Sequence, residues 1–125
     1  MADRNLVWKK GERLARENLK NKGYQILQQN YRNRYAEIDL IAKKGNILVF
    51  IEVRTKKGEL FGSPEETLNQ KKLKKLWLNA SAYVKIKRWS GSYRIDAICV
   101  VLNSDNSLAR INHYENILIK DASEV

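Results

Sequence analysis

Ionisable residues interrupt the apolar stretches of this chain at places where their types suggest chemistry. Residues 48 to 55 read Leu-Val-Phe-Ile-Glu-Val-Arg-Thr, so the most apolar segment carries Glu52 and Arg54 two positions apart. Asp39 similarly breaks the run Glu-Ile-Asp-Leu-Ile-Ala at 37 to 42. Burying either kind of charge costs several kcal/mol unless it is paired or bound. If Asp39 and Glu52 lie on neighbouring strands, their carboxylates repel unless one holds a proton or a cation lies between them. A divalent ion resolves that conflict. Mg²⁺ fits, because it takes oxygen ligands, keeps several waters and binds through one or two carboxylates together with a substrate phosphate. Cys99 is the single cysteine and His113 the single histidine, which excludes disulfides within the chain, cysteine-rich zinc sites and two-histidine metal motifs. Any metal therefore rests on oxygen ligands. The competing reading is an ion-pair network that buries the same charges for structural reasons.

The elements that must position these residues follow from periodicity. Trp8, Ala15 and Leu19 fall on one face of a helix running from Trp8 to about Lys22, and Glu12 joins that face where leucine would be expected. Glu12 is thus a third acid, placed to hold a second ion or a water of the first. Gly23 stops the helix and Tyr24 to Tyr31 reads as a first strand. Ala36 to Lys43 alternates, with Ile38, Leu40 and Ala42 on one side and Glu37, Asp39 and Ile41 on the other. Lys44-Gly45-Asn46 turns the chain into a third strand, Ile47 to Thr55, whose apolarity on both faces predicts a central position. Glu52 and Arg54 share one of its faces. Ser63-Pro64-Glu65-Glu66 reads as a capping box with proline at the first helical position. Leu68, Leu76, Ala80 and Tyr83 or Val84 form the apolar stripe of the helix it would open. Strands at 93 to 102 and 109 to 114 complete the order α-β-β-β-α-β-β, an α/β fold with a central mixed sheet flanked by helices. The chain is expected to be one domain over 1–125 with its core at about 8–118.

Lys and Arg number 24 against 14 Asp and Glu, a net charge of +10. A cationic field of that size concentrates polyanions, with nucleic acid the leading partner. The segment from Gln70 to Arg88 holds Lys71, Lys72, Lys74 and Lys75 and no acid, and Arg32 and Arg34 precede the second strand. These cations suit the backbone of a nucleic acid; a solvated helix face is the alternative. Cys99 is expected to be a buried, inert thiol, and His113 to sit at a strand edge or on the surface. No apolar run approaches the ~20 residues that span a bilayer, so no membrane partner is expected, and the N-terminus lacks a signal-peptide pattern. The expected address is the cytoplasm.

Glu12, the Glu37 to Ala42 run and Ile51-Glu52-Val53-Arg54-Thr55 together resemble the PD-(D/E)XK, or restriction-endonuclease-like, nuclease superfamily. The whole chain is similar to the YraN family of bacterial proteins, from Gly11-Glu12 through Asn30-Tyr31-Arg32, Phe61-Gly62-Ser63-Pro64-Glu65-Glu66 and Lys72 to Arg94-Ile95-Asp96 and His113. The resemblance implies a restriction-endonuclease-like domain and metal-dependent hydrolysis of phosphodiester bonds, on a branched or repair intermediate among other substrates. It puts Asp39 at the motif's aspartate, Glu52 at its D/E position and Arg54 at its lysine. Glu12 matches the helix acid of archaeal Holliday junction resolvases. By the same resemblance Asp39, Glu52 and the Val53 carbonyl would hold Mg²⁺ or Mn²⁺, DNA ranks ahead of RNA, and a homodimer is among the expected states. Arg54 departs from the pattern, since arginine stays charged and is restricted to electrostatic stabilisation and phosphate binding. A nucleic-acid-binding protein with weak or no catalysis is therefore the alternative function, and an interaction domain with structural charges a third.

Overall fold

Helices α1 (Arg4–Asn21) and α2 (Gln70–Ile86) cover the two faces of one five-stranded sheet in this computed structural model, which describes residues 4–34 and 36–117. The strands lie in chain order, β1 (Gln25–Arg32), β2 (Glu37–Lys44), β3 (Ile47–Lys57), β4 (Ser92–Leu102) and β5 (Leu108–Tyr114). All neighbours are antiparallel except β3 and β4, which run parallel and are joined by the crossover that contains α2. The expected order and the central place of β3 match this arrangement, which is consistent with a restriction-endonuclease-like fold. The expected core limit at residue 118 lies outside the described residues.

Because β3 is covered on both sides, its alternate residues feed two cores. Val49, Ile51 and Val53 pack with Ala15 and Leu19 of α1, whereas Leu48 and Phe50 pack with Leu76, Ala80 and Tyr83 of α2. Gly23 ends α1 at φ +89°, a left-handed conformation that glycine adopts without strain, while the Lys22, Gly23 and Tyr24 amides return to carbonyls of the last turn. Trp8 departs from the expected inward face. It is 38% exposed at the rim, and the buried stripe of α1 is Gly11, Glu12, Ala15 and Leu19.

Gly11 sets how closely α1 approaches the sheet. A Cβ built there would lie 1.8 Å from Thr55 Oγ1, so no larger residue fits without moving the helix off β3. This close approach brings the next residue, Glu12, down beside the sheet.

The helix expected from Pro64 is divided. Pro64–Thr67 forms a 3-10 turn, Leu68 is extended, and α2 starts after Asn69, whose side chain accepts the Lys72 amide at 2.9 Å. Ser63 makes no side-chain cap, and Glu65 is drawn away by Arg110 of β5 through paired bonds of 2.7 and 2.8 Å. On the buried side of α2, Asn79 replaces an apolar residue. It donates to the Ala36 carbonyl and accepts from Asn33, which ties the helix to the turn between β1 and β2.

His113 lies on the edge strand β5, one of the two places expected for it, but its side chain turns inward and not to the surface. Its side chain is 4% exposed and Nε2 lies 2.7 Å from Oδ2 of the fully buried Asp96. Lys22 Nζ is 3.2 Å from Nδ1, so a neutral ring that donates from Nε2 and accepts at Nδ1 satisfies both contacts. Burial works against ionisation of Asp96, yet bonds from His113, Arg94 and the Asn116 amide outweigh it and hold the carboxyl below its usual range. Cys99 is buried, and burial pushes its thiol up to about 12, as expected of an inert side chain.

Gly11→Ala is expected to destabilise the fold by about 1–3 kcal/mol, because the overpacking against Thr55 outweighs the gain in helix propensity. The urea midpoint should fall with an unchanged slope; an unchanged midpoint would mean that the helix and sheet do not depend on this close approach.

Candidate metal and phosphate site

The site forms where β2 and β3 separate. Their ladder runs from Lys44↔Ile47 to Leu40↔Ile51 and stops. Beyond it the Val53 amide donates to the Asp39 carboxylate, Oδ2, at 2.7 Å, so a side chain replaces the backbone partner that the diverging strand no longer supplies. On the other side of β2, the ladder to β1 pairs Gln29 with Leu40 and Tyr31 with Ile38 but passes over Asn30 and Asp39. Asn30 takes a left-handed conformation, φ +51°. The strict alternation expected for β2 is broken at the same place: Ile38 packs with Ile41 against the α2 side, and Leu40 and Ala42 face α1.

Asp39, Glu52, Val53 and Arg54 line one cleft of about 310 Å³, together with Trp8, Glu37, Thr55, Lys56 and Thr67. The residues expected from the sequence are thus largely brought together. Asp39 is 8% exposed, and its carboxyl is raised far above the usual range by burial first, then by a hydrogen bond and repulsion from Glu52. Asp39 is thus disfavoured as a lone anion beside Glu52, and a cation between the two would relieve that repulsion. No third acid joins them within 4.8 Å among the described residues. A cation here would take two carboxylates and complete its shell with backbone oxygen, water or phosphate, which is the donor set that Mg²⁺ prefers.

Glu12 stands on the adjoining wall, in a groove that shares Trp8 with the cleft. Its pKa is raised to about 7 by burial, with further upward pressure from Asp39 and Glu37. Asn30 joins the two walls. With its side-chain nitrogen turned toward the acids, it donates to both Glu12 oxygens at 3.3 Å and to Glu37 Oε1 at 3.0 Å. Sequence reasoning alone misses Asn30 and Glu37 as site residues. Both fall within the residues that carry the family resemblance, Asn30 in Asn30-Tyr31-Arg32 and Glu37 at the head of the acid-bearing run, but nothing local marks them as site residues.

Arg54 approaches from the remaining side. One guanidinium nitrogen donates to the Thr67 carbonyl at 3.3 Å, while Nε is buried without a hydrogen-bond partner. Arg54 as a residue lines the cleft, and a guanidinium there is the chemistry that binds a phosphate oxygen. Of the outer cations, Arg32 is engaged by Glu37 at 2.8 Å yet remains 76% exposed, and Arg34 is exposed. Lys71, Lys72, Lys74 and Lys75 are all exposed on the first turns of α2, which begins three residues after Thr67 of the cleft.

A second acidic group, Asp96, His113 and Glu115, gathers its ligand atoms within 4.8 Å. Arg94 already fills it, bonding to Asp96 at 3.0 Å and to Glu115 at 3.0 Å. That cluster has its cation built in.

The family described as "Uncharacterised protein family UPF0102" matches residues 11–100, a span containing Glu12, Asp39, Glu52, Arg54 and the basic turn of α2. The chain belongs to the UPF0102 family. A UPF0102 protein of Clostridium botulinum (strain 657 / Type Ba4) is 41% identical over 117 residues, covering 92% of this chain and 91% of the relative. One from Pelotomaculum thermopropionicum is 39% identical over 118 residues, covering 93% and 98%. The UPF0102 relationship, that of the YraN family, thus extends over nearly the whole chain and is not confined to the acid-bearing strands. No helix among the described residues is long and apolar enough to cross a membrane.

The acids make a prediction about pH. Asp39 and Glu12 start from ordinary values of 3.8 and 4.5 and are both raised by folding, so the folded state binds more protons than the unfolded one. Stability of the metal-free protein is then greatest below about pH 4 as far as these groups decide, and falls as the pH rises through 7 and above. Asp39→Asn should flatten that decline and abolish any rise in melting temperature on adding Mg²⁺. Thermal melts from pH 6 to 9, with and without Mg²⁺, check both effects; identical profiles for the two proteins would contradict the acid pairing.

Proposed function

We propose that this protein is a divalent-metal-dependent hydrolase of phosphodiester bonds in nucleic acid, with DNA the favoured substrate. The observation that carries the proposal is the buried Asp39 paired with the half-buried Glu52 at the parting of β2 and β3, in a cleft that Arg54 also lines. A carboxyl that burial and an acidic neighbour hold back from ionising, as Asp39 is held, can ionise beside a dication. Asp39, Glu52 and the Val53 carbonyl would hold Mg²⁺ or Mn²⁺, which when bound supplies Lewis acidity to the phosphate and lowers the pKa of an attacking water.

The chain's own residues divide the remaining work. Arg54 binds a non-bridging phosphate oxygen and stabilises charge that develops on it, and its tether to Thr67 fixes the approach of the guanidinium. Glu12, near half-ionised at neutral pH, can take up or release a proton at the cleft edge, and Asn30, which donates to both Glu12 and Glu37, fixes its orientation. Lys71, Lys72, Lys74 and Lys75 hold the sugar-phosphate backbone along the start of α2, with Arg32 and Arg34 as cations at the end of β1 and in the turn that follows. These contacts position the strand without reading its sequence.

The second reading is binding without turnover, and Arg54 favours it. A guanidinium stays protonated and cannot take a proton from water, so proton removal falls to the acids alone. The two readings part in one assay. Single-stranded, duplex and four-way-junction DNA incubated with Mg²⁺ or Mn²⁺ should be cleaved by the wild type, and Glu52→Ala and Asp39→Asn should lower the rate about 10³-fold, corresponding to several kcal/mol of lost transition-state stabilisation. Cleavage that persists in both variants would overturn the hydrolase reading. Binding without cleavage would leave the second reading in its place.

Replacing Lys71, Lys72, Lys74 and Lys75 with alanine should weaken binding to all sequences alike. The slope of log K against log salt should flatten by roughly 0.9 for each duplex phosphate that the variant no longer neutralises. An unchanged slope would show that the helix face does not touch the substrate.

A further inference from the structure

Leu60 and Phe61 are 87% and 91% exposed, more than any other large hydrophobic residue described. They occupy the two corner positions of a turn closed by the Gly62 amide donating to the Glu59 carbonyl at 3.1 Å. The base of this turn is clamped. Arg110 bonds Glu59 at 2.7 Å and grips Glu65 with bonds of 2.7 and 2.8 Å, and Tyr114 adds a third bond to Glu65 at 2.7 Å. The Gly58 amide meanwhile donates to Leu102 of β4 at 2.9 Å. A segment tied down on both sides of its tip is a fixed mount for two apolar side chains that water surrounds.

The mount rises from the rim of the cleft. Lys56 and Thr67, which bracket the segment, both line the cleft with Asp39, Glu52 and Arg54. Lys56 Nζ also lies 4.0 Å from the Cβ position of Gly62, immediately after Phe61. An exposed aromatic ring next to a glycine that Lys56 approaches, at the edge of the cleft proposed to take phosphate, has the chemistry of a base-stacking contact. A Leu–Phe pair alone is far too small to bury the ~800 Å² per partner of a standard protein interface.

We propose that the Leu60–Phe61 tip stacks against an unpaired nucleobase next to the phosphate held at Arg54, and so selects strands with unstacked bases over continuous duplex. Phe61 supplies the flat face and Leu60 the wedge beside it. The proposal rests on the cleft being a phosphodiester site and goes further by assigning how the flanking base is held.

The test measures binding, in the presence of a chelator, of a single strand and its fully paired duplex, each with 2-aminopurine at one position. Phe61→Ala should weaken single-strand binding roughly 5- to 150-fold, the equivalent of one stacked base, and abolish the fluorescence change of 2-aminopurine. Duplex affinity should stay within twofold, and Phe61→Trp should restore single-strand binding. Equal single-strand affinity for Phe61→Ala and wild type would overturn the proposal while the lysine-dependent duplex binding left the cleft reading standing. If wild type binds neither nucleic acid, both fall. If Phe61→Ala instead converts a dimer to a monomer in sedimentation without altering nucleic-acid binding, the tip joins copies of the chain and the stacking assignment is wrong.

Discussion

A hydrogen bond from a backbone amide to a side chain organises the acidic end of this molecule. Where β2 and β3 part, the Val53 amide would be left buried without its ladder partner, and the Asp39 carboxylate takes it at 2.7 Å. A carboxylate in that place satisfies the backbone and at the same time puts a negative group at the mouth of the opening. Glu52, on the strand that turns away, faces the same opening. The fork in the sheet and the acid pair are therefore one feature: the geometry that opens the cleft requires an acceptor there. The acceptor supplied is also a candidate metal ligand.

That constraint explains how much of the molecule is legible from its sequence. Alternation and the two-sided apolarity of Ile47 to Thr55 are enough to place β3 at the centre, because burial on both faces leaves a direct compositional trace. Asp39, Glu52 and Arg54 stand out for the converse reason, as charges in apolar surroundings. Three features stay hidden because their partners are distant in the chain. Ser63-Pro64-Glu65-Glu66 does open a turn, but a 3-10 one that ends at Thr67, with no Ser63 cap and with Glu65 bound to Arg110, 45 residues on. The burial of the His113 side chain has no local sign, since Asp96, Lys22 and the Tyr24 ring meet it only once β4, β5 and the end of α1 are assembled. Asn30 reads as an ordinary polar strand residue until its left-handed backbone turns the side chain toward Glu12 and Glu37.

The two charged clusters of the fold differ in how their negative groups are neutralised. Asp96 and Glu115 carry their own counterion in Arg94, and His113 and the Asn116 amide complete the coordination of Asp96. Such a network is closed, and it fixes β4 to β5 and to the chain beyond. Asp39 and Glu52 have no built-in cation at comparable distance among the described residues, since Arg54 is turned to the Thr67 carbonyl. Each cluster has one buried acid, Asp39 or Asp96, and only that of Asp96 is met by an arginine of the fold.

The parallel pairing of β3 with β4 forces the chain to cross the sheet between them, and the 3-10 turn, the clamped tip and the lysine-bearing start of α2 all belong to that single crossing. The carboxylates lie on the strands before it. Lengthening or rewriting one connection could therefore change what the molecule grips while its acids stay where they are, a division that lets selection adjust preference and reactivity separately.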